Sequence, residues 1–189
     1  MESLDTPTAL LRSEHRLILR TVGVLERVVA EWDGGEPPDL DAISDCAAFF
    51  RLFADACHHG KEEDLLFPEL EARGIPREGG PIAAMLEEHR RGRAFVARMS
   101  AALEGARAGD GESLRELRDA AYGYIDLIRS HILKEDGVLF NMADGLLRGP
   151  ACRELCAAYG VVCAGHFEGK TKQQLESLAA DLARRYPPA

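Results

Sequence analysis

A metal-ligand pattern occurs twice in the chain and accounts for four of its six histidines. Each copy has a single histidine, a long gap and then a His-x-x-x-Glu pair. The two copies are formed by His15, His58 and Glu62, and by His89, His131 and Glu135. The single histidines are 74 residues apart and the pairs are 73 residues apart. Such a regular offset indicates an internal duplication.

The residues around the pattern repeat as well. Residues 14–16, Glu-His-Arg, recur at 88–90, and residues 61–67, Lys-Glu-Glu-Asp-Leu-Leu-Phe, recur at 134–140 as Lys-Glu-Asp-Gly-Val-Leu-Phe. His59 has Ile132 as its counterpart and therefore lies outside the shared pattern. We interpret His59 as a residue behind the ligands or at the surface.

The spacing of each pair suits a helix that carries metal ligands. Residues i and i+4 lie one turn apart on the same helical face, so each pair can direct an imidazole and a carboxylate towards one point. Two such helices, with one histidine from each of two more, would surround a common centre, as in the dinuclear sites of four-helix bundles. A single buried histidine is usually a hydrogen-bonded core residue, but four on inward faces favour ligation.

The elements that must carry these residues are four long helices. The first is predicted over residues 7–32, with Thr6 as its N-cap, and the second over residues 40–67, where Pro68 bends or ends it. The third begins at Pro81, and the fourth follows the break at 109–111. Short connections between long helices imply antiparallel neighbours, so the fold class is an all-α, up-down-up-down four-helix bundle.

The bundle is predicted to occupy residues 1–148. Residues 149–189 are predicted to be a C-terminal helical extension, with one short and one longer helix, that packs on the bundle or at a subunit interface. No segment shows the two-residue alternation of a strand.

Composition limits the partners. The 189 residues are 46% hydrophobic and correspond to about one domain with a sizeable core. The net charge of -9, without a basic cluster, argues against nucleic acid and anionic membranes as partners. No apolar run is long enough to span a bilayer, and the N-terminus, with Glu2 and Asp5, lacks the features of a signal peptide. We expect a cytoplasmic monomer or homodimer.

The five cysteines are odd in number and irregularly spaced, as expected for reduced thiols. Cys152, Cys156 and Cys163 have no histidine at finger-like spacing. We interpret them as buried thiols in preference to a second metal site or a thiol switch. Cys57 adjoins His58 and could lie near the site, although burial alone would explain it.

The motifs resemble the hemerythrin-like, or HHE cation-binding, domain family. The resemblance covers residues 8–145 and rests on the order and spacing of the six ligand candidates and on Glu-Glu-Asp-Leu-Leu-Phe-Pro at 62–68. It implies two irons, in preference to manganese or zinc, joined by an oxo or hydroxo bridge and by the carboxylates of Glu62 and Glu135. It also implies a small-molecule partner, namely dioxygen, nitric oxide or peroxide, or a role in handling iron itself.

The chain departs from the oxygen-carrying hemerythrins on the third helix, where those proteins have two histidines one turn apart. One turn after His89 comes Arg93, whose guanidinium cannot ligate a cation. If each iron takes about six donors, four histidines leave two open positions, which favours turnover over reversible binding. Arg93→His would then favour reversible oxygenation, unless Glu63, His59 or Tyr124 fills one position.

Further alternatives remain open. In the classical members the last carboxylate follows its histidine by five residues, so Asp136 could replace Glu135 as the bridge. We favour Glu135 because it shares a helical face with His131 and matches Glu62. Each ligating imidazole needs an acceptor for its other nitrogen, for which Asp55 and Asp126 are candidates. The function is predicted to be binding or sensing, a peroxide- or nitric-oxide-consuming oxidoreductase activity, or iron storage.

Overall fold

The computed structural model describes residues 6–187 and is almost entirely helical. The predicted features of the extreme N-terminus lie outside these residues. Helix α1 is Pro7–Asp33. Helix α2 spans residues 40–71 and consists of Leu40–Phe49, the π-helical segments Phe50–His59 and Glu62–Leu66, and Phe67–Glu71. Helix α3 is Pro81–Arg107, and α4 spans residues 111–146 as Gly111–Lys134, π-helical Glu135–Leu139 and Phe140–Leu146.

The predicted helix starts are confirmed by their capping groups. The Thr6 hydroxyl accepts a hydrogen bond from the Ala9 backbone N–H at 3.2 Å, and Pro7 and Pro81 open their helices. Helix α2 was predicted to end at Phe67, but it ends at Glu71, four residues later. Pro68 lies in the first turn of Phe67–Glu71, where a proline is tolerated, so the helix continues.

Hydrogen bonds between the helices define which ends are adjacent. Thr8, at the start of α1, donates to Asp144 near the end of α4, and Tyr122 of α4 donates to Asp33 at the end of α1 at 2.8 Å. Arg107, at the end of α3, reaches Asp41 at the start of α2 at 2.8 Å. Apolar side chains fill a large part of the interior between these helices, and Ile18, Val22, Leu25 and Val29 form the buried apolar stripe of α1.

Residues after the fourth long helix form α5 (Pro150–Cys163), a hairpin of β1 (His166–Phe167) and β2 (Lys170–Thr171), and α6 (Lys172–Arg185). Both helices have 14 residues, so the prediction of one short and one longer helix is wrong. The two strands of the hairpin have two residues each, too few to show the two-residue alternation that is missing from the sequence.

The C-terminal segment shares apolar contacts with the long helices. Leu175, Ala179 and Leu182 of α6 belong to the same buried cluster as Leu25 and Phe53. Leu155 and Tyr159 of α5 belong to a second cluster, together with Leu11, Leu66 and Phe140. No helix within residues 6–187 is long and apolar enough to cross a membrane.

Candidate metal centre

The six sequence-predicted ligands converge in the interior of the helical bundle, and none is more than 1% exposed. Together with His59 they form two groups, in which one nitrogen or carboxylate oxygen from each residue lies within 4.8 Å of the others. The two-histidine group contains His15 and His58 with Glu62 and Glu135. The three-histidine group contains His59, His89 and His131.

Glu62 lies between the two groups. Its Oε1 is 3.6 Å from His58 Nε2, and its Oε2 is 3.6 Å from His89 Nε2. One carboxylate therefore faces a histidine of each group.

Glu135 has the same relation to both groups. Its Oε2 is 3.2 Å from Nε2 of His15 and of His131, and its Oε1 is 3.9 Å from His89 Nε2. Two carboxylates that each face both groups are the arrangement expected for a pair of bridged cations.

The donor atoms that face the centre of the site are buried and unsatisfied. The Nε2 atoms of all five histidines and both carboxylate oxygens of Glu62 and Glu135 have no hydrogen-bond partner within the described chain. Leaving so many buried polar atoms unpaired is costly, and native proteins avoid it. Imidazole and carboxylate donors suit iron, manganese or zinc, so the residues present fit a pair of metal cations.

The other ring nitrogen of each histidine meets a carboxylate. The Nδ1···O pairs are His15–Asp136 at 2.9 Å, His58–Glu14 at 2.9 Å, His59–Asp55 at 3.3 Å, His89–Glu63 at 2.7 Å and His131–Glu88 at 3.1 Å. A carboxylate acceptor at Nδ1 holds the ring proton there, leaves the Nε2 lone pair for a cation and fixes the orientation of the ring.

The duplication extends to these acceptors. Glu14 and Glu88, which precede the single histidines, hold His58 and His131, and each also forms an ion pair with a lysine, Lys61 or Lys134. Glu63 and Asp136, which follow Glu62 and Glu135, hold His89 and His15. The sequence signal for these residues was their repetition beside the ligands.

His59 was interpreted as a residue behind the ligands or at the surface, and the surface alternative is wrong. Its exposure is 4%, and one of its ring nitrogens lies within 4.8 Å of those of His89 and His131. Its ring stacks on that of His89 with centroids 3.8 Å apart. Because the equivalent position is Ile132, the duplicated site is asymmetric and has a third histidine on one side.

The positions of the other candidate residues bear on the remaining alternatives. The Asp136 side chain is 36% exposed and faces His15 Nδ1, whereas Glu135 is fully buried between the two groups. Asp126 is exposed and carries no histidine contact within residues 6–187. Arg93 donates to Asp55 and to Glu63 at 2.7 Å each, so it contacts acceptors of the histidines.

The electrostatics of the site favour a cation. Burial and the charge of Glu135 raise the pKa of Glu62 well above its usual value. Burial acts in the same sense on Glu135, but His131 and His15 outweigh it and hold its pKa well below that value. Burial also opposes the charge on His131, yet Glu135 and Glu88 raise its pKa to about 9. The charge of Glu135 thus draws positive charge into the centre, and a bound cation would offset the cost of burying Glu62 as a carboxylate.

A small apolar cavity of about 260 Å³ reaches the three-histidine group from one side. Phe50, Gly92, Val96 and Tyr124 form its apolar wall, and His59 contributes to its lining. The Tyr124 ring is 2% exposed and packs 4.5 Å from that of Phe50. The cavity offers a small molecule a route towards the buried histidines.

A helical bundle with buried histidines and shared carboxylates defines a metal-binding helical protein. Residues 6–143 match the hemerythrin HHE cation-binding domain, and this match covers most of the chain. The chain therefore belongs to the hemerythrin HHE cation-binding family, which confirms the resemblance seen in the sequence.

Relatives of similar sequence occur in mycobacteria. Uncharacterized proteins of Mycobacterium bovis and of two strains of Mycobacterium tuberculosis are each 28% identical to the chain over 156 residues. The match takes in 82% of this chain and 56% of each relative, so the chain spans about half the length of these curated relatives. No solved structure matches.

Proposed function

We propose that the chain is a non-haem di-iron protein that binds or senses dioxygen, nitric oxide or a related small oxidant within an up-down-up-down four-helix bundle. The observation that supports it most is the convergence of nine buried donor atoms without hydrogen-bond partners among the described residues. These atoms fall into two groups that share Glu62 and Glu135. One structural zinc ion would need only four donors, often with cysteine among them.

In this proposal His15 and His58 hold one iron, and His59, His89 and His131 hold the other. Glu62 and Glu135 contribute to both. When bound, the metal pair supplies redox-active centres at which a small oxidant can coordinate. The carboxylates at Nδ1 keep each imidazole in the ligating tautomer and orientation.

The third histidine changes the chemistry that the sequence suggested. If each iron takes about six donors, five histidines leave one open position instead of two. That position lies on the His15 and His58 side, where the Phe140 ring stacks on His15 with centroids 5.3 Å apart. A single open position beside an apolar wall favours reversible binding or sensing over turnover.

Metal analysis combined with spectroscopy tests this proposal. Protein purified in air should contain about two irons per chain and show ligand-to-iron charge-transfer bands in the near ultraviolet. The double variant Glu62→Gln/Glu135→Gln should lose both irons, whereas Glu69→Gln, a change outside the site, should retain them. One zinc per chain would overturn the proposal.

Two further measurements separate the alternative functions. Rapid consumption of peroxide or nitric oxide would move the assignment to an oxidoreductase. Release of iron to a chelator upon reduction would move it to iron storage. Reversible changes of the spectrum with dioxygen or nitric oxide, without net consumption, are the expected result.

A further inference from the structure

Cys57 and Cys163 form a second chemically distinctive pair beside the metal-ligand cluster. Cys57 is buried on α2, and Cys163, the last residue of α5, is partly exposed. Their Sγ atoms and a carboxylate oxygen of Glu14 lie within 4.8 Å of one another. The expectation that Cys163 is simply a buried thiol is therefore wrong, because it is accessible and faces a second thiol.

A buried ammonium group adjoins this pair. Lys61 is 1% exposed, and its Nζ lies 3.6 Å from Cys163 Sγ and forms an ion pair with Glu14. A cation at this distance favours the thiolate over the thiol. The neighbouring Cys57 thiol and the charge of Lys61 outweigh burial and hold the pKa of Cys163 below its usual value.

The ammonium group also argues against a third metal site. Glu14, Cys57 and Cys163 could supply donors, but Lys61 already contacts two of the three. A metal cation placed among them would be repelled by the lysine. Cys46 shows the contrast, since burial and the charge of Asp45 outweigh the charge of Arg185 and raise the pKa of its thiol to about 12.

We propose that Cys163 is a peroxide-reactive cysteine and that Cys57 is its resolving partner. The Cys163 thiolate attacks one oxygen of hydrogen peroxide, so that an S–O bond forms, the O–O bond breaks and the leaving hydroxide takes up a proton as water. The Cys57 sulfur then attacks the sulfenic sulfur. An S–S bond forms, the S–O bond breaks, and the hydroxide leaves with the Cys57 proton as a second water.

The reaction reduces one peroxide to two waters and oxidises two thiols to one disulfide. A disulfide needs an S–S length of about 2.05 Å, so both side chains must approach from their present separation. Cys163 ends α5, where only Ala164 separates it from Gly165, and this helix end gives the sulfur room to move.

The disulfide would join α5 to α2 one residue before His58. Oxidation would also remove the anionic sulfur beside Lys61, so that the ion pair with Glu14 would have no competing anion at Cys163. Because Glu14 holds His58 Nδ1, the thiol pair connects to the ligand set through named contacts. The inference goes beyond the proposed function and requires no bound metal.

Peptide mapping tests the proposal in chelator-treated and in iron-loaded protein. After brief exposure to hydrogen peroxide, free thiols are alkylated and the chain is digested with trypsin without reductant. We expect peptide 52–61 linked to peptide 154–170 in both preparations. Fragmentation should place the link at Cys163, and Cys156→Ser, a change in the same peptide, should leave it intact. Absence of the link, or a link through Cys156, would overturn the proposal.

Two measurements test the separate roles. In wild-type protein, a sulfenic-acid trap such as dimedone should add to Cys163 and lower the yield of the disulfide. A trap that adds only elsewhere would count against the proposal. Lys61→Met should slow alkylation of Cys163 near pH 7 by about tenfold, because the thiolate loses its cation. An unchanged rate in folded Lys61→Met protein would contradict the role of the lysine, and the wild-type mapping does not depend on this variant.

Discussion

Arg93 occupies the position at which the oxygen-carrying hemerythrins have a second histidine on the third helix. Its guanidinium cannot ligate, but it donates to Asp55 and Glu63, the acceptors of His59 and His89. In the proposed ligand set His59 on α2 takes the place of the ligand missing from α3, and Arg93 holds the carboxylates behind His59 and His89. Arg93→His would therefore remove an anchor from a histidine set that is already complete, so the sequence-based expectation of restored oxygenation is revised.

The buried hydroxyl of Tyr159 allows the stability cost of one unsatisfied polar group to be measured. Its hydroxyl is buried and has no hydrogen-bond partner within residues 6–187. An unsatisfied buried hydroxyl costs about 1–3 kcal/mol, so Tyr159→Phe should raise the free energy of unfolding of metal-free protein by about 1 kcal/mol in urea titrations. Tyr122→Phe is the control, since it removes a hydroxyl that donates to Asp33 and should give no gain. A loss of stability in Tyr159→Phe would show that its hydroxyl is already satisfied.

The π-helical segments explain which ligands the sequence could and could not reveal. The duplicated motif predicted six inward positions, because an α-helical i and i+4 spacing needs no knowledge of the fold. His59 was not predicted to face the site, because neighbouring residues on an α-helix point in well-separated directions. In the π-helical segment Phe50–His59 the wider i to i+5 turn brings His58 and His59 closer in direction, so both rings face the site.

Helix starts were predictable for a related reason. Caps and prolines act locally, so Thr6, Pro7 and Pro81 defined two starts from sequence. The end of α2 depends on the π-helical segment before Pro68, and the hairpin at 166–171 has strands of two residues. Neither has a periodic signal in the sequence.

His59→Leu tests whether the π-helical segment supplies a ligand. Loss of a residue that only hydrogen-bonds to a metal ligand weakens metal binding by about 10–100-fold. Loss of a direct ligand should therefore weaken binding in the three-histidine group at least tenfold. After dialysis we expect about one iron per chain, measured by elemental analysis, where the wild type retains about two. His166→Leu, a change at an exposed histidine, is the control. Two tightly held irons in His59→Leu would leave His59 without a ligating role.

Helix α6 and the long helices share one buried apolar cluster. The division of the chain at residue 148 is therefore a prediction that stability measurements can test. Leu182 is 1% exposed, and Leu182→Ala should lower the free energy of unfolding by about 2–5 kcal/mol in a single transition. Val161→Ala, at a side chain 76% exposed, should change it by less than about 0.5 kcal/mol. If the protein instead unfolds in two separate transitions, and Leu182→Ala shifts only one of them, residues 149–189 are an independent unit.

Metal removal should affect the stability of the whole bundle, because the ligands come from all four long helices. A cation that binds only the folded chain stabilises it by mass action, by about 2.7 kcal/mol when its free concentration is 100 times the dissociation constant. We therefore expect the urea midpoint to rise on iron loading and to fall again with a chelator. Glu62→Gln should abolish most of this response, whereas Glu69→Gln should preserve it. Equal midpoints with and without iron in the wild type would mean that the nine unsatisfied donor atoms hold no cation, and the proposed function would fail with them.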